Sequence, residues 1–135
     1  MIRLALALSV LTASTAFAAP SPPTSYAFGR TGGSIRPFTV SISASGAVRA
    51  AGAVQVQKRQ VNARALAKIA AVVKAERFAS LPAATRCPGT LPDIASQFVA
   101  VRTGAAKRTV LVHGGCSPRF AAVFEALSRA VGLPK

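Results

Sequence analysis

ASQFVAVRTGAAKRTVLVHGGCSPRFAAVFEALSRAVG, residues 95 to 132, decides the fold. Its first part, ASQFVAVRT at 95 to 103, and RTVLVH at 108 to 113 are rich in strand formers and separated by GAAK, which predicts a hairpin. Apolar residues fall on both faces around Phe98 to Val101, so that strand belongs inside a sheet, not at its edge. The period then changes from two to 3.6. Phe120, Val123, Phe124, Leu127 and Val131 recur at i, i+3, i+4, i+7 and i+11, the apolar stripe of a helix. Ser117 is suited to accept from unpaired backbone N–H groups as N-cap, Pro118 takes the favoured first helical position, and Gly132 ends the run.

Upstream, PFTVSIS alternates Phe38, Val40 and Ile42 with Thr39, Ser41 and Ser43, a strand with one face on a core; SASG at 43 to 46 follows as a turn. AVRAAGAVQVQ makes a second extended segment interrupted at Gly52, beyond which Val54 and Val56 alternate with Gln55 and Gln57. From the N-cap candidate Asn62, the stripe Leu66, Ile69, Ala70 and Val73 predicts a helix ending near Arg77, with Arg64, Lys68 and Lys74 off the stripe. In FASLP, Phe78 and Leu81 turn inward, Pro82 forbids continuation of the helix, and RCPGTLPD reads as a loop. The order strands, helix, hairpin, helix implies an α+β domain: an antiparallel sheet of about 4–5 strands with two helices packed on one face. Its halves share the hairpin-then-helix order without a residue-level repeat.

The first 18 residues read as a secretory signal. Arg3 lies in the short basic region, Leu4 to Leu11 form the apolar core, and Ala16-Phe17-Ala18 is a small-x-small cleavage site. The apolar run is too short for a membrane span, and no Cys follows that could be lipidated. Residues 19 to 25, APSPPTS, read as a flexible leader, and 26 to 135 as one domain. Cleavage after Ala18 lowers the net charge from +14 to +13, since Arg3 is the one ionisable side chain removed. Such a surplus attracts anionic envelope surfaces or polymers, although scattered bases also suit a merely solvated surface.

From Arg30 onward the chain resembles a family of small secreted bacterial proteins of unknown function. The resemblance rests on FTVSISASGAV, Gly52, LAKIAAVV, FASLP, Pro92-Asp93, the Gly-basic turn of RTGAAKRTV and the terminal helix. Members often carry a Cys-x-Gly-x-Cys-Pro element ahead of the first strand, where this chain has TGGSIRPF. The resemblance implies the order of elements and supplies no catalytic residue.

Chemistry-bearing residues concentrate in VHGGCSPRF, 112 to 120. Cys87 and Cys116 form an even pair in an exported chain, where oxidising conditions favour a disulfide. A Cys116 nucleophile with His113 as base, or a zinc site of Cys87, Cys116, His113 and Asp93, competes poorly with that bridge; the zinc set lacks closely spaced ligand pairs. Gly114, Gly115 and Arg119 can capture an anion at the helix entrance, against the plainer reading of a tight strand-to-helix turn. His113 is the remaining candidate, and Asp93 after Pro92 suits a turn better than catalysis. Tyr26, Phe28 and Arg30 offer a stacking surface for single-stranded nucleic acid, a weaker idea because aromatics outside core positions are few.

Glu76, Asp93 and Glu125 are the only acids, too few for paired-carboxylate hydrolysis when two of them sit on basic helices. Nucleophile-elbow, zinc-protease and phosphate-loop motifs are missing from the sequence, and no cofactor motif is present. The expectation is therefore a noncatalytic, exported, disulfide-stabilised domain binding anionic surfaces or polymers, without a specific nucleic acid, metal or cofactor. The alternative is an extracellular enzyme or enzyme inhibitor using the 112–120 junction.

Overall fold

The hydrophobic alternation is realised in a six-stranded sheet. The computed structural model describes residues 14–15 and 22–134; most of the stretch expected to be a secretory signal (1–18), the expected cleavage after Ala18 and residues 19–21 of the expected leader lie outside the described residues. The elements are β1 (Thr24–Thr31), β2 (Phe38–Ile42), β3 (Val48–Gly52), α1 (Ala63–Ala75), a 3-10 turn (Phe78–Ser80), β4 (Ala84–Arg86), β5 (Ser96–Thr103), β6 (Ala106–His113) and α2 (Pro118–Val131). Across the sheet the order is β3-β2-β1-β5-β6-β4. From β3 to β6 each strand pairs antiparallel with its neighbour, whereas β4 runs parallel to β6, with Ala84, Thr85 and Arg86 opposite Leu111, Val112 and His113. The sheet is thus mixed and one strand wider than expected.

Two strands carry the difference. In β1, TSYAFGRT, only Tyr26 and Phe28 are large and apolar, so its period-two signal is short and faint; its identity as a strand comes from pairing on both sides with β2 and β5. Thr24 and Ser25, assigned above to the leader, already belong to it. Tyr26 and Phe28, offered above as a stacking surface, point into the core at 5% and 0% exposure, because in a central strand one whole face must be buried. β4 is only three residues long, without apolar alternation, and exists because β6 presents a free edge beside it. Conversely, Val54 to Gln57 form no strand: Gln57 and Lys58 donate their backbone N–H groups to Val131 O at the end of α2.

The hairpin turn is tighter than GAAK suggests. Thr103 pairs with Ala106, leaving Gly104 and Ala105 as the two turn residues and Lys107 in β6. β5 lies inside the sheet as its two apolar faces require.

Both helices lie on one face. Phe28, Val40, Ile42, Val99, Val110 and Val112 project toward them and meet Ile69 of α1 and Phe120, Val123, Leu127 and Val131 of α2. Phe28 meets Phe124 edge-on at 5.5 Å between ring centroids. Burial of each such side chain stabilises the fold by about 1.5–3 kcal/mol before entropy is counted. Asn62 caps α1, its Oδ1 accepting from Ala65 N at 2.8 Å. The inward side of α1 runs through Leu66, Ile69, Val72 and Val73, while Ala70, expected on the stripe, is exposed. Phe78 and Leu81 turn inward, and the Arg108 guanidinium donates to Leu81 O.

Ser117 occupies the N-cap position of α2, but its side chain makes no capping bond. At the other end Gly132 adopts φ 67°, with Gly132 N donating to Arg129 O and Leu133 N to Ser128 O. This pair of bonds closes the last turn in the Schellman arrangement and favours glycine there.

Candidate functional site

The parallel step of β4 on β6 brings the chain after Arg86 against the strand-to-helix junction. Cys87 N donates to His113 O at 2.8 Å, and the Cys87–Cys116 disulfide closes the same corner with Cα atoms 5.5 Å apart. Cys116 N further donates to Cys87 Sγ at 3.0 Å. Both cysteines of the chain are thereby bridged, and neither sulfur carries the thiolate that a nucleophile or a zinc ligand needs. Among the described residues no three His, Cys, Asp or Glu side chains gather as metal ligands.

Gly114 sits under this bridge at φ 109°. A Cβ there would come within 2.3 Å of Thr90 Oγ1 and 2.6 Å of Cys87 Cβ, so the position excludes a side chain by crowding as well as by backbone geometry. Gly115 has open space around it.

His113 spans the junction. Its Nε2 lies 3.2 Å from Leu91 O, which can only accept, so the ring proton is assigned to Nε2. Nδ1 then accepts from Ser96 Oγ at 3.2 Å. Both nitrogens are engaged, joining the 87–95 loop and the start of β5 to the end of β6.

Arg119 reaches from the first turn of α2 across to the end of α1. Its Nε donates to Glu76 O, and one terminal nitrogen donates to Arg77 O and Ser80 Oγ, each at 2.8 Å. Two of these acceptors are carbonyls just past the end of a helix, where intrahelical donors run out, and a basic side chain is a suitable donor to them. Arg77 itself holds φ 49°, a left-handed conformation that a non-glycine residue adopts only where its surroundings enforce it. Three bonds converge on it there: Ser80 N, Ser80 Oγ and Arg119 all donate to Arg77 O.

Asp93 lies in the 87–95 loop, where its carbonyl accepts from Ser34 N at 2.9 Å. With Arg30, Ile35, Ile94, Gly114 and Gly115 it lines an open cleft of about 450 Å3 beside the junction. Of the other acids, Glu125 pairs with Arg129 on the exposed side of α2 at 2.5 Å, and Glu76 lies at the end of α1.

A second concave region occupies the sheet face that the helices leave uncovered. Arg49, Arg102 and Lys107 stand around a floor of small residues, Ser25, Ala27, Ser41 and Ala100, in a groove of about 560 Å3. Its one sequence signal is a cation at a polar strand position, and three strands bring their cations to it. Which strands are neighbours is invisible to periodicity, so the grouping escapes a reading along the chain.

Comparison with known protein families and with characterised proteins finds no match to this chain.

Proposed function

We propose that the protein is an exported, noncatalytic domain, braced by its disulfide, that attaches to anionic polymers of the cell envelope. The observation that carries this reading is unbalanced charge: 17 bases face 3 acids in the full chain, only Arg3 among them being lost with the signal, and among the described residues the single ion pair is Arg129–Glu125. Charge left unpaired at a surface creates a positive field that draws anions to it. The bridging of both cysteines, which leaves no thiolate at the junction, and the engagement of Arg119 with the end of α1 support a structural role for that corner and a binding role elsewhere on the surface. The disulfide supports an oxidising compartment. Among the described residues no helix is long and apolar enough to cross a membrane.

Retention on an immobilised acidic polysaccharide tests the binding. The protein is held at about 10 mM salt and released toward about 1 M, as the screening length falls from about 30 Å to about 3 Å. Absence of retention at the lower concentration overturns the reading. Recovery outside the cytoplasm with Ala19 at the N-terminus checks export, and cytoplasmic protein retaining Met1 refutes it.

A further inference from the structure

Resting on that reading, we propose that the uncovered face of the sheet is where the polymer binds, and that Arg49, Arg102 and Lys107 hold the acidic groups of a linear polysaccharide laid across it. The strand register builds the site. Arg49 on β3 stands opposite Ser41 on β2, and Ala27 on β1 stands between Ser41 and Ala100. One two-residue step along the strands, Ser25 stands opposite Arg102, which in turn faces Lys107 on β6. Long cations therefore rise around short side chains, giving a floor that a polymer can approach closely.

Charge and spacing select the ligand. None of the three acids lines the groove: Glu76 and Glu125 belong to the helices on the opposite face, and Asp93 lies in the 87–95 loop. Among the described residues the cations consequently have no counterion. Arg49 and Arg102 stand on strands three spacings apart, roughly 14 Å at the usual interstrand distance. A small anion meets one of them at a time, whereas a chain with repeated acidic groups engages both.

Of the polymers that carry such charge, a polysaccharide fits the surface best. A guanidinium receives a carboxylate through two parallel hydrogen bonds, and the Ser25 and Ser41 hydroxyls both donate and accept, as sugar hydroxyls do. Single-stranded nucleic acid binds through base stacking, but Tyr26, the one aromatic residue at the groove among the described residues, turns its ring into the core. A membrane surface calls for large apolar side chains to insert, and the exposed ones among the described residues, Ile35, Leu91 and Ile94, lie beyond the opposite ends of these strands.

The test compares Arg49→Ser/Arg102→Ser/Lys107→Ser with a control of equal charge change on α1, Arg64→Ser/Lys68→Ser/Lys74→Ser. All six side chains are exposed, and unchanged thermal unfolding verifies both variants. The probes are polygalacturonate, a single-stranded oligodeoxynucleotide and phosphatidylglycerol vesicles, each titrated at low salt. The expected result is preference for polygalacturonate, with affinity falling at least about tenfold in the open-face variant and less than about threefold in the control. Equal losses in both variants remove the groove as the site while leaving general polyanion binding intact. Preference for the oligonucleotide or the vesicles overturns the polysaccharide assignment. Failure of the unaltered protein to bind any probe removes the parent reading as well.

Discussion

Replacing Arg119 with alanine separates a structural role from a ligand-binding one. The guanidinium makes three charged-donor hydrogen bonds, to Glu76 O, Arg77 O and Ser80 Oγ, all at 2.8 Å. Hydrogen bonds to a charged group contribute about 1.5–3 kcal/mol each. Holding the arginine in one rotamer costs roughly 2 kcal/mol, shared by all three bonds. At the low end of the bond range this leaves about 2–3 kcal/mol, because the side chain is half-buried and water replaces part of what is lost. Unfolding entropy for a domain of this size converts 1 kcal/mol to about 4 °C, so Arg119→Ala should lower Tm by about 10 °C. Arg119→Lys should recover less than half, since one ammonium cannot satisfy acceptors that a planar fork reaches from two nitrogens. Urea unfolding of the three proteins measures the loss, and polygalacturonate titration of the same samples measures binding. The expected pattern is reduced stability with affinity unchanged within about twofold. A stability loss below about 0.5 kcal/mol would refute the structural role, and a large affinity loss without destabilisation would restore Arg119 as a ligand contact.

Removing the bridge as Cys87→Ala/Cys116→Ala opens a loop of about 30 residues and should cost roughly 3.6 kcal/mol on chain entropy, with a steeper urea dependence as the unfolded chain expands; a loss under about 1 kcal/mol contradicts this. Burial pushes the Tyr26 phenol above its ordinary pKa of 10.0. The unfolded chain therefore releases this proton first. The associated stability is fully present below about pH 10 and declines as pH rises toward the folded-state value. Tyr26→Phe should flatten that alkaline decline, and because Tyr26 is the only tyrosine, phenolate absorbance follows it directly. Identical alkaline unfolding profiles in the two proteins would show that the buried phenol plays no part.

The legible parts of the fold are those whose signals are local. Helix α2 announces itself through five apolar residues at helical spacing between Pro118 and Gly132, and Asn62 marks the start of α1 through a bond three residues away. The hairpin of β5 and β6 is equally local, with a two-residue turn joining partners adjacent in the chain. The disulfide was deducible for a simpler reason, since two cysteines allow a single pairing. Ser117 shows the limit of this kind of inference: residue type and position suit a cap, yet its side chain makes no capping bond.

By itself the sequence determined the α+β class, both helices, the β5–β6 hairpin and the cysteine pair, because each depends on short-range periodicity, capping chemistry or simple counting. Only the tertiary structure decided that β1 runs through the middle of the sheet and that β4 lies parallel to β6. It also engaged His113 and Arg119 with partners up to 43 residues away and assembled Arg49, Arg102 and Lys107 on one uncovered face. The physical reason is common to all of these. Sheet order and long-range hydrogen bonds are settled when distant segments compete to bury the same apolar surface, and no residue carries a local record of its eventual neighbour.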